Sequence, residues 1–471
     1  MPPSLRLLLA LGLLLVGGSS LAAQDARQVR LDSLFAGVAG APGCAVGVHQ
    51  NGEVTLRRAY GMADLEHQVP ITPSSVFYTG SLSKQVTAMA VGMLAQGGVI
   101  DLDAPASKWI PEMTGPLAAI TIRQMVHHTS GLREKWDLLA MQDVPTDRTV
   151  VTQQMVLDLV ARQRELNFAP GSRHLYNNTA YDLLATLVGR ASGMSFREFV
   201  QQRIFAPRGM TQSLFADRWS EVIPNRVMGY ARRGGQWART PAMVETVGSG
   251  SLHSTLDDML RWVAWFDEAP ASDSALINLL ETPGTLSTDD SLTYAFGVIV
   301  DAYNGVRRVQ HTGSLAGYRT AIWRFPSERW AAVAMCNGLP PLPERILLEL
   351  AKVDMPEHFL VEPLPRDRLG AVSTATPTLP DDLVGEFYSE ELAVTWQVKL
   401  RGSTRVLVRP GGDEVTIVPF APDHVRIASW FGRVERDASG TIVALLVDTG
   451  RSIGVRFTPP PSAARAAGSP R

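Results

Sequence analysis

A chain of 471 residues, 45% hydrophobic and 19% charged, is long enough for two or three folded units with cores of their own. Its formal net charge of −2 offers no basic face to nucleic acid or to an anionic membrane. Cys44 and Cys336 sit in no metal or redox motif.

The first residues read as a leader. Arg6 precedes the apolar run Leu7–Val16; the small residues Gly17-Gly18-Ser19-Ser20 follow, then Leu21-Ala22-Ala23. That is a secretory pattern over residues 1–23, cleaved near Ala22 or Ala23. A run of about ten apolar residues is too short to span a bilayer. No cysteine follows the small residues, so no lipid is expected there. The expectation is export to the periplasm or beyond, with no stable membrane anchor. Cys44 and Cys336 read first as two buried, inert thiols, and an oxidising compartment permits a bridge between them as the alternative.

Cys44 to Gln50 reads as a strand, Asn51-Gly52 as a tight turn and Glu53 to Tyr60 as the partner strand. A helix follows Ser81, with Val86, Met89, Ala90, Met93 and Leu94 at helical spacing, ending at Gly97-Gly98. A second follows Tyr176-Asn177-Asn178, with Leu183, Leu184, Leu187 and Val188 on one face. Ser195-Phe196-Arg197-Glu198 looks like a capping box for a third. Asp257 to Phe266 suggests a fourth. Short β-rich runs then cover Phe296–Ala302, Arg307–His311, Tyr318–Phe325 and Trp330–Cys336, with a helical stretch from Glu344 to Val353. Strands thus open and close this unit, which predicts an α/β or α+β domain whose sheet joins both ends.

A Pro-, Ser- and Thr-rich stretch from Glu362 to Pro380 reads as a linker. After it come only short strands: Val394–Leu400, Arg405–Val408, Val415–Val418, Val425–Ile427, Thr441–Val447 and Ser452–Phe457. They suggest a small separate β-barrel or sandwich. The domain plan is 24–360, a linker over 361–380, a β-domain over 381–460 and a disordered tail over 461–471.

Three short elements carry the chemistry. Ser81-Leu82-Ser83-Lys84 opens the first helix. Residues three apart share a helix face, so Lys84 would neighbour the Ser81 hydroxyl, which attacks poorly without an activator. Free N–H groups at that helix start favour negative charge on an attacked carbonyl. Tyr176-Asn177-Asn178 precedes the second helix. His311-Thr312-Gly313-Ser314 falls just before the glycine-bearing run Leu315 to Phe325.

With these three in this order, the chain resembles the penicillin-recognising serine hydrolases, most closely the class C β-lactamase-like branch. That branch also holds esterases, D-aminopeptidases and DD-peptidases. The resemblance covers roughly residues 30–355. It includes Pro42-Gly43 with Gly61-Met62-Ala63-Asp64, and Ile122–Met125 with His128-Thr129-Ser130-Gly131-Leu132. Gly248-Ser249-Gly250-Ser251-Leu252 with Asp257-Asp258-Met259 also fits. The β-domain is similar to lipocalin-like modules appended to some members.

The resemblance implies an antiparallel sheet flanked by helices with an all-α insertion. It implies that Ser81 forms an acyl-enzyme and that Lys84 and Tyr176 transfer protons; which of them is the base is disputed among Ser-x-x-Lys enzymes. Asn178 would bond the substrate's amide side chain or orient Lys84. The N–H groups of Ser81 and Ser314 would form the oxyanion hole, and His311, Thr312 and Gly313 would help bind substrate. β-Lactamases of this class carry lysine where His311 stands. A histidine is mostly neutral at pH 7, so the fixed cation for a substrate carboxylate is missing. Ester or D-amino-acid peptide cleavage therefore ranks above β-lactam hydrolysis.

No metal or organic cofactor is implied, and the partner is a small-molecule or peptide substrate, peptidoglycan-derived ones included. The rival class is a penicillin- or peptidoglycan-binding protein that acylates without turnover. A third reading makes the β-domain a lid or partner-binding part. His127 and His128 lack a third ligand at metal spacing. Asn177-Asn178-Thr179 is a sequon by chance, and Asn178 could be no more than a helix N-cap. Gly450-Arg451-Ser452-Ile453-Gly454 matches a nucleophile elbow but has no helix after it. Specificity is placed in two loops, Leu132–Thr149 and Glu281–Ser291.

Overall fold

The computed structural model describes residues 26–359, 379–380 and 382–460. The expected leader, most of the linker and the tail beyond Pro460 lie outside them. The chain forms two compact units. Among the described residues, one gathers 26–100, 188–284 and 291–359; the other gathers 101–187, 285–290, 379–380 and 382–460.

The first unit is built on a six-stranded antiparallel sheet. Its strands are β1 Cys44–Gln50, β2 Glu53–Tyr60, β3 Ile299–Tyr303, β4 Val306–Leu315, β5 Tyr318–Phe325 and β6 Trp330–Cys336. The order across the sheet is β3-β4-β5-β6-β1-β2, so the two ends of the unit meet where β1 pairs with β6. Asn51 and Gly52 both take positive φ, which suits the turn between β1 and β2. Cys44 faces Cys336 across the β1–β6 ladder, and the two are bridged.

Side chains alternate across each strand, and the sheet is covered on both faces. Val46 and Val48 pack with Ile346, Leu347 and Leu350 of the helix Pro343–Asp354. Burying each such side chain contributes about 1.5–3 kcal/mol. Gly47 points the other way, where a Cβ would stand 2.8 Å from Leu260 on the helix Leu256–Glu268. The helix Ser83–Gln96 is buried nearly all round, from Ser83 to Gly92 without a break. An all-buried helix belongs inside a large domain. Trp262 of the neighbouring helix donates its indole N–H to Gln85 Oε1 at 3.1 Å.

The second unit joins a helical segment to the β-domain. The helices are Ile122–Val126, Lys135–Met141, Gln153–Arg162 and the opening turns of Asn178–Ser192. Lys135–Met141 lies inside the stretch expected to be a loop. Its cap is the Glu134 side chain, which accepts from the Trp136 N–H, a weaker sequence signal than Ser, Thr or Asp.

The β-domain is an eight-stranded meander. Its strands are β7 Gly385–Ser389, β8 Val394–Arg401, β9 Thr404–Val408, β10 Glu414–Ala421, β11 His424–Ile427, β12 Trp430–Arg436, β13 Ile442–Asp448 and β14 Val455–Phe457. The ends close on each other, since Tyr388 and Thr458 exchange backbone hydrogen bonds of 2.7 and 2.8 Å. The barrel core stacks Trp396 on Phe457 at 3.8 Å. Trp396 is fully buried, so its N–H needs an acceptor, and it finds Met141 O at 3.0 Å on the helical segment. Among the described residues no helix is long and apolar enough to cross a membrane.

Candidate active site

Ser81 lies in a single 3-10 turn, Gly80–Leu82, that runs directly into the helix beginning at Ser83. Lys84 is fully buried one turn on. Its Nζ donates to Ser81 Oγ at 3.1 Å and to Ser249 O at 3.0 Å. The segment that supplies Ser249 is laced to the same helix. Thr87 Oγ1 donates to Gly248 O at 2.8 Å, and Ser83 Oγ accepts from Leu252 N at 3.2 Å. The glycine-serine run Gly248–Leu252 thus builds the far wall of the lysine site. Gly250 has no room for a side chain, because a Cβ would sit 2.4 Å from the Tyr78 hydroxyl.

His311, Thr312, Gly313 and Ser314 are found inside β4, not ahead of a strand. The sequence pattern ended this strand at His311, whereas it runs on to Leu315. The residues pair in register with Ile322, Ala321, Thr320 and Arg319, so the turn comes only at Ala316-Gly317. The strand passes very close to the Ser81 turn. A Cβ on Gly313 would lie 2.1 Å from Thr79 O and 3.0 Å from Ser81 N, and one on Gly80 would lie 2.5 Å from Ser314 N. Only glycine permits both approaches. Thr320 Oγ1 fastens the contact by donating to Thr79 O at 2.7 Å. The Ser81 and Ser314 main chains are thereby held side by side, as an oxyanion pocket requires.

His311 is buried and neutral. Burial, and then the Lys84 cation, push its imidazole down to about 3, against a smaller opposing bond to Thr312 O. Its Nδ1 lies 2.6 Å from Thr312 O, a carbonyl that can only accept, so Nδ1 carries the hydrogen. Nε2 then accepts from the Tyr294 hydroxyl at 3.2 Å. His311 is no fixed cation for a carboxylate.

In the second unit, Tyr176 precedes the Asn178–Ser192 helix. Its ring centroid is 4.4 Å from that of His128 and 5.1 Å from the Arg451 guanidinium. Asn177, not Asn178, caps the helix: its Oδ1 accepts from Ala180 N at 2.7 Å, and its Nδ2 donates to Leu132 O at 2.8 Å. That buried amide is no glycan acceptor. His128 serves the same turn, with Nδ1 accepting from Asn177 N at 3.1 Å. It is a loop-bonding residue here.

Asn178 is held by a residue the sequence reading passed over. Glu134 is buried, and its two oxygens accept from Asn178 N at 2.6 Å and Asn178 Nδ2 at 3.1 Å. Burial pushes this carboxyl up, and the two Asn178 donors pull against it. A carboxylate accepts and cannot donate, so it fixes Nδ2 toward itself and leaves Oδ1 as the acceptor end of the Asn178 amide. Next to it, the buried pair Lys135–Asp182 ties the following helix to the same turns. No spacing signals Glu134, which stands 44 positions from Asn178. The elbow-like run Gly450–Gly454 is a loop between β13 and β14. It closes this network: Glu134 N donates to Ser452 Oγ at 3.1 Å, and Asn167 Nδ2 donates to Arg451 O at 2.9 Å.

Among the described residues, two separate surface groups could each hold a metal ion: Asp64, Glu66 and His67, and Glu328, Glu357 and His358. Neither includes a residue of the candidate site.

A family model described as Beta-lactamase matches residues 31–354. The D-aminopeptidase of Gluconobacter oxydans is 29% identical over 300 residues, covering 63% of this chain and 56% of that protein. The D-aminopeptidase of Brucella canis is 30% identical over 305 residues, with the same coverage of 63% and 56%. The chain thus spans little more than half the length of these curated relatives. The octameric penicillin-binding protein homologue from Pyrococcus abyssi superposes with a TM-score of 0.61 at 20% identity, over 92% of this chain and 98% of that one. A class C beta lactamase from Rhodobacter sphaeroides gives 0.56 at 21% identity, over 72% and 99%. At such identities the likeness is one of fold.

Proposed function

We propose that this chain, which belongs to the beta-lactamase family, is an exported serine hydrolase that releases D-amino acids from peptides or amides through an acyl-enzyme on Ser81. The observation that carries the reading is the buried Lys84 side chain, whose Nζ lies 3.1 Å from Ser81 Oγ. In its deprotonated form a lysine so placed takes the hydroxyl proton as Oγ attacks. In the proposed sequence, Ser81 Oγ adds to the substrate carbonyl. Its proton passes to Lys84 or Tyr176. The N–H groups of Ser81 and Ser314 receive the oxyanion. The leaving amine takes a proton as the C–N bond breaks. Water then adds to the ester, gives up a proton and releases the acid.

The D-aminopeptidase relatives support this substrate class, and neutral His311 speaks for it over β-lactam hydrolysis, where a cation would hold the substrate carboxylate. Asn178, its amide turned by Glu134, is proposed to bond the substrate or to orient Lys84.

The test is a panel of D-alanine amide, L-alanine amide, a short-chain ester and a chromogenic cephalosporin, run with Ser81→Ala as control. Turnover of the D-amide above the others, abolished in Ser81→Ala, supports the proposal. Faster turnover of the cephalosporin overturns the substrate class. A stable adduct on Ser81 without turnover favours the binding-protein alternative.

A further inference from the structure

The first unit holds a cavity that none of the proposed chemistry uses. Its volume is about 360 Å³, in the range of small-ligand sites. Arg218, Arg226 and Arg239 line it, together with the aromatic side chains of Tyr78, Trp219 and Tyr318. Ser81, Lys84, His311 and Ser314 are not in its wall.

Its charge is one-sided. Among the described residues that line it, the ionised groups are three guanidiniums, and no carboxylate is present. Glu66 reaches Arg239 at 3.5 Å, but both are about half exposed, so the pair is weak. The one titratable imidazole in the wall, His253, is buried and held near 4 by that burial and by Arg226, so it adds no charge at neutral pH. Arg226 also bears on Tyr318. Thr240, another lining residue, has an enclosed hydroxyl with no hydrogen-bond partner among the described residues.

The apolar side is equally defined. Tyr78 and His253 are cross-strand partners in a short sheet of Phe77–Tyr78, Leu252–Ser254 and Leu214–Phe215. Their rings meet edge-on at 5.3 Å, and the Tyr318 ring lies 5.8 Å from Tyr78. Ala216, Ala242 and Val244 complete an apolar surface. Guanidiniums recognise carboxylates through paired N–H donors, and aromatic faces accept a planar or branched apolar body.

We propose that this cavity is a binding site for an organic carboxylate with an aromatic or branched apolar body, separate from the Ser81 site. The cavity also backs onto the catalytic turn. Thr79 follows Tyr78 and donates its N–H to Leu252 O at 2.9 Å, while the Tyr78 hydroxyl accepts from Ser251 N at 3.1 Å. Ser249, two residues before Ser251, holds Lys84.

Isothermal titration of the full chain with benzoate, benzamide and sulfate tests it. Saturable benzoate binding is expected, with benzamide and sulfate each weaker by about tenfold or more, since hydrogen bonds to a charged group and apolar burial each add more than about 1.4 kcal/mol. Arg226→Gln should weaken benzoate about tenfold, Ala242→Phe should fill the cavity and abolish binding, and Ser81→Ala should bind as the parent does. No saturable benzoate binding overturns the site. Equal affinity for benzamide or sulfate overturns its ligand class. Undiminished binding in both Arg226→Gln and Ala242→Phe, with folding confirmed by circular dichroism, overturns its location.

Discussion

The Ser81 turn and the Asn178 turn are both starts of buried helices, yet they are built in opposite ways. The first is made by main chain. Gly80 and Gly313 let two backbones approach within contact, and the reacting groups sit three residues apart on one turn. The second is made by side chains from far along the sequence: Glu134, His128, Lys135 and the barrel residue Ser452. A local cluster can be read as a motif. A network of single contacts between distant residues leaves no periodic trace.

The largest effect should come from the first turn. Ser81→Ala removes the attacking atom, and turnover should fall by about 10⁴-fold or more. Lys84→Met should fall comparably in the rate of acylation, because the two residues act as a unit and their losses do not add. Both should fold; a burst of acyl-enzyme in Lys84→Met at the parent's rate would separate lysine from the nucleophile and break this half of the comparison.

The second turn should answer first in stability. Asp182→Ala strands the Lys135 ammonium at a site with 1% side-chain exposure. Breaking a buried pair on one side costs about 3–5 kcal/mol, which a urea titration reads directly. The double change Lys135→Met with Asp182→Leu should recover much of that loss.

Between these lies a pH effect seated beside the first turn. His253 is held near 4, below the usual histidine range, so in the unfolded chain it binds a proton that the folded chain refuses. Stability should be full above about pH 6.5 and fall as the pH drops toward 4, by on the order of 3 kcal/mol from this group. His253→Gln can keep the donor to Ser251 O. It should therefore lose less stability than the parent between pH 7 and 4.5, measured by thermal melts at matched ionic strength. An identical pH slope in parent and variant would contradict a neutral buried imidazole.

Legibility follows the same division. The sheet that joins both ends of its unit, the helices after Ser81 and Tyr176, and the capping box at Ser195 could all be read from period and cap chemistry. The bounds of β4 could not, because Thr312-Gly313-Ser314 has the composition of a turn and is a strand only through its pairing with β5. Asn177 and Asn178 look alike in sequence. Which one caps the helix is decided by Glu134, which claims the second, and by Leu132 O, which takes the first.

Glu134 gives the sharpest test of the comparison, and the smallest expected effect. Glu134→Ala leaves the Asn178 N–H and amide without acceptors and should cost about 1–3 kcal/mol. Glu134→Gln keeps one acceptor and puts an NH₂ group in place of the other. If its oxygen faces the backbone N–H, its NH₂ meets the Asn178 amide, which must turn to offer Oδ1. The end of the Asn178 amide turned away from Glu134 then changes from acceptor to donor, at little cost in stability. The ratio of turnover for a D-amino acid amide over its N-acetylated form should fall severalfold in Glu134→Gln, while acylation of Ser81 by an ester lacking either group stays near the parent rate. A uniform fall on all three substrates would make Glu134 a fold residue only. An unchanged ratio would show that the Asn178 amide takes no part in choosing the substrate, and the second turn would then be scaffold where the first is chemistry.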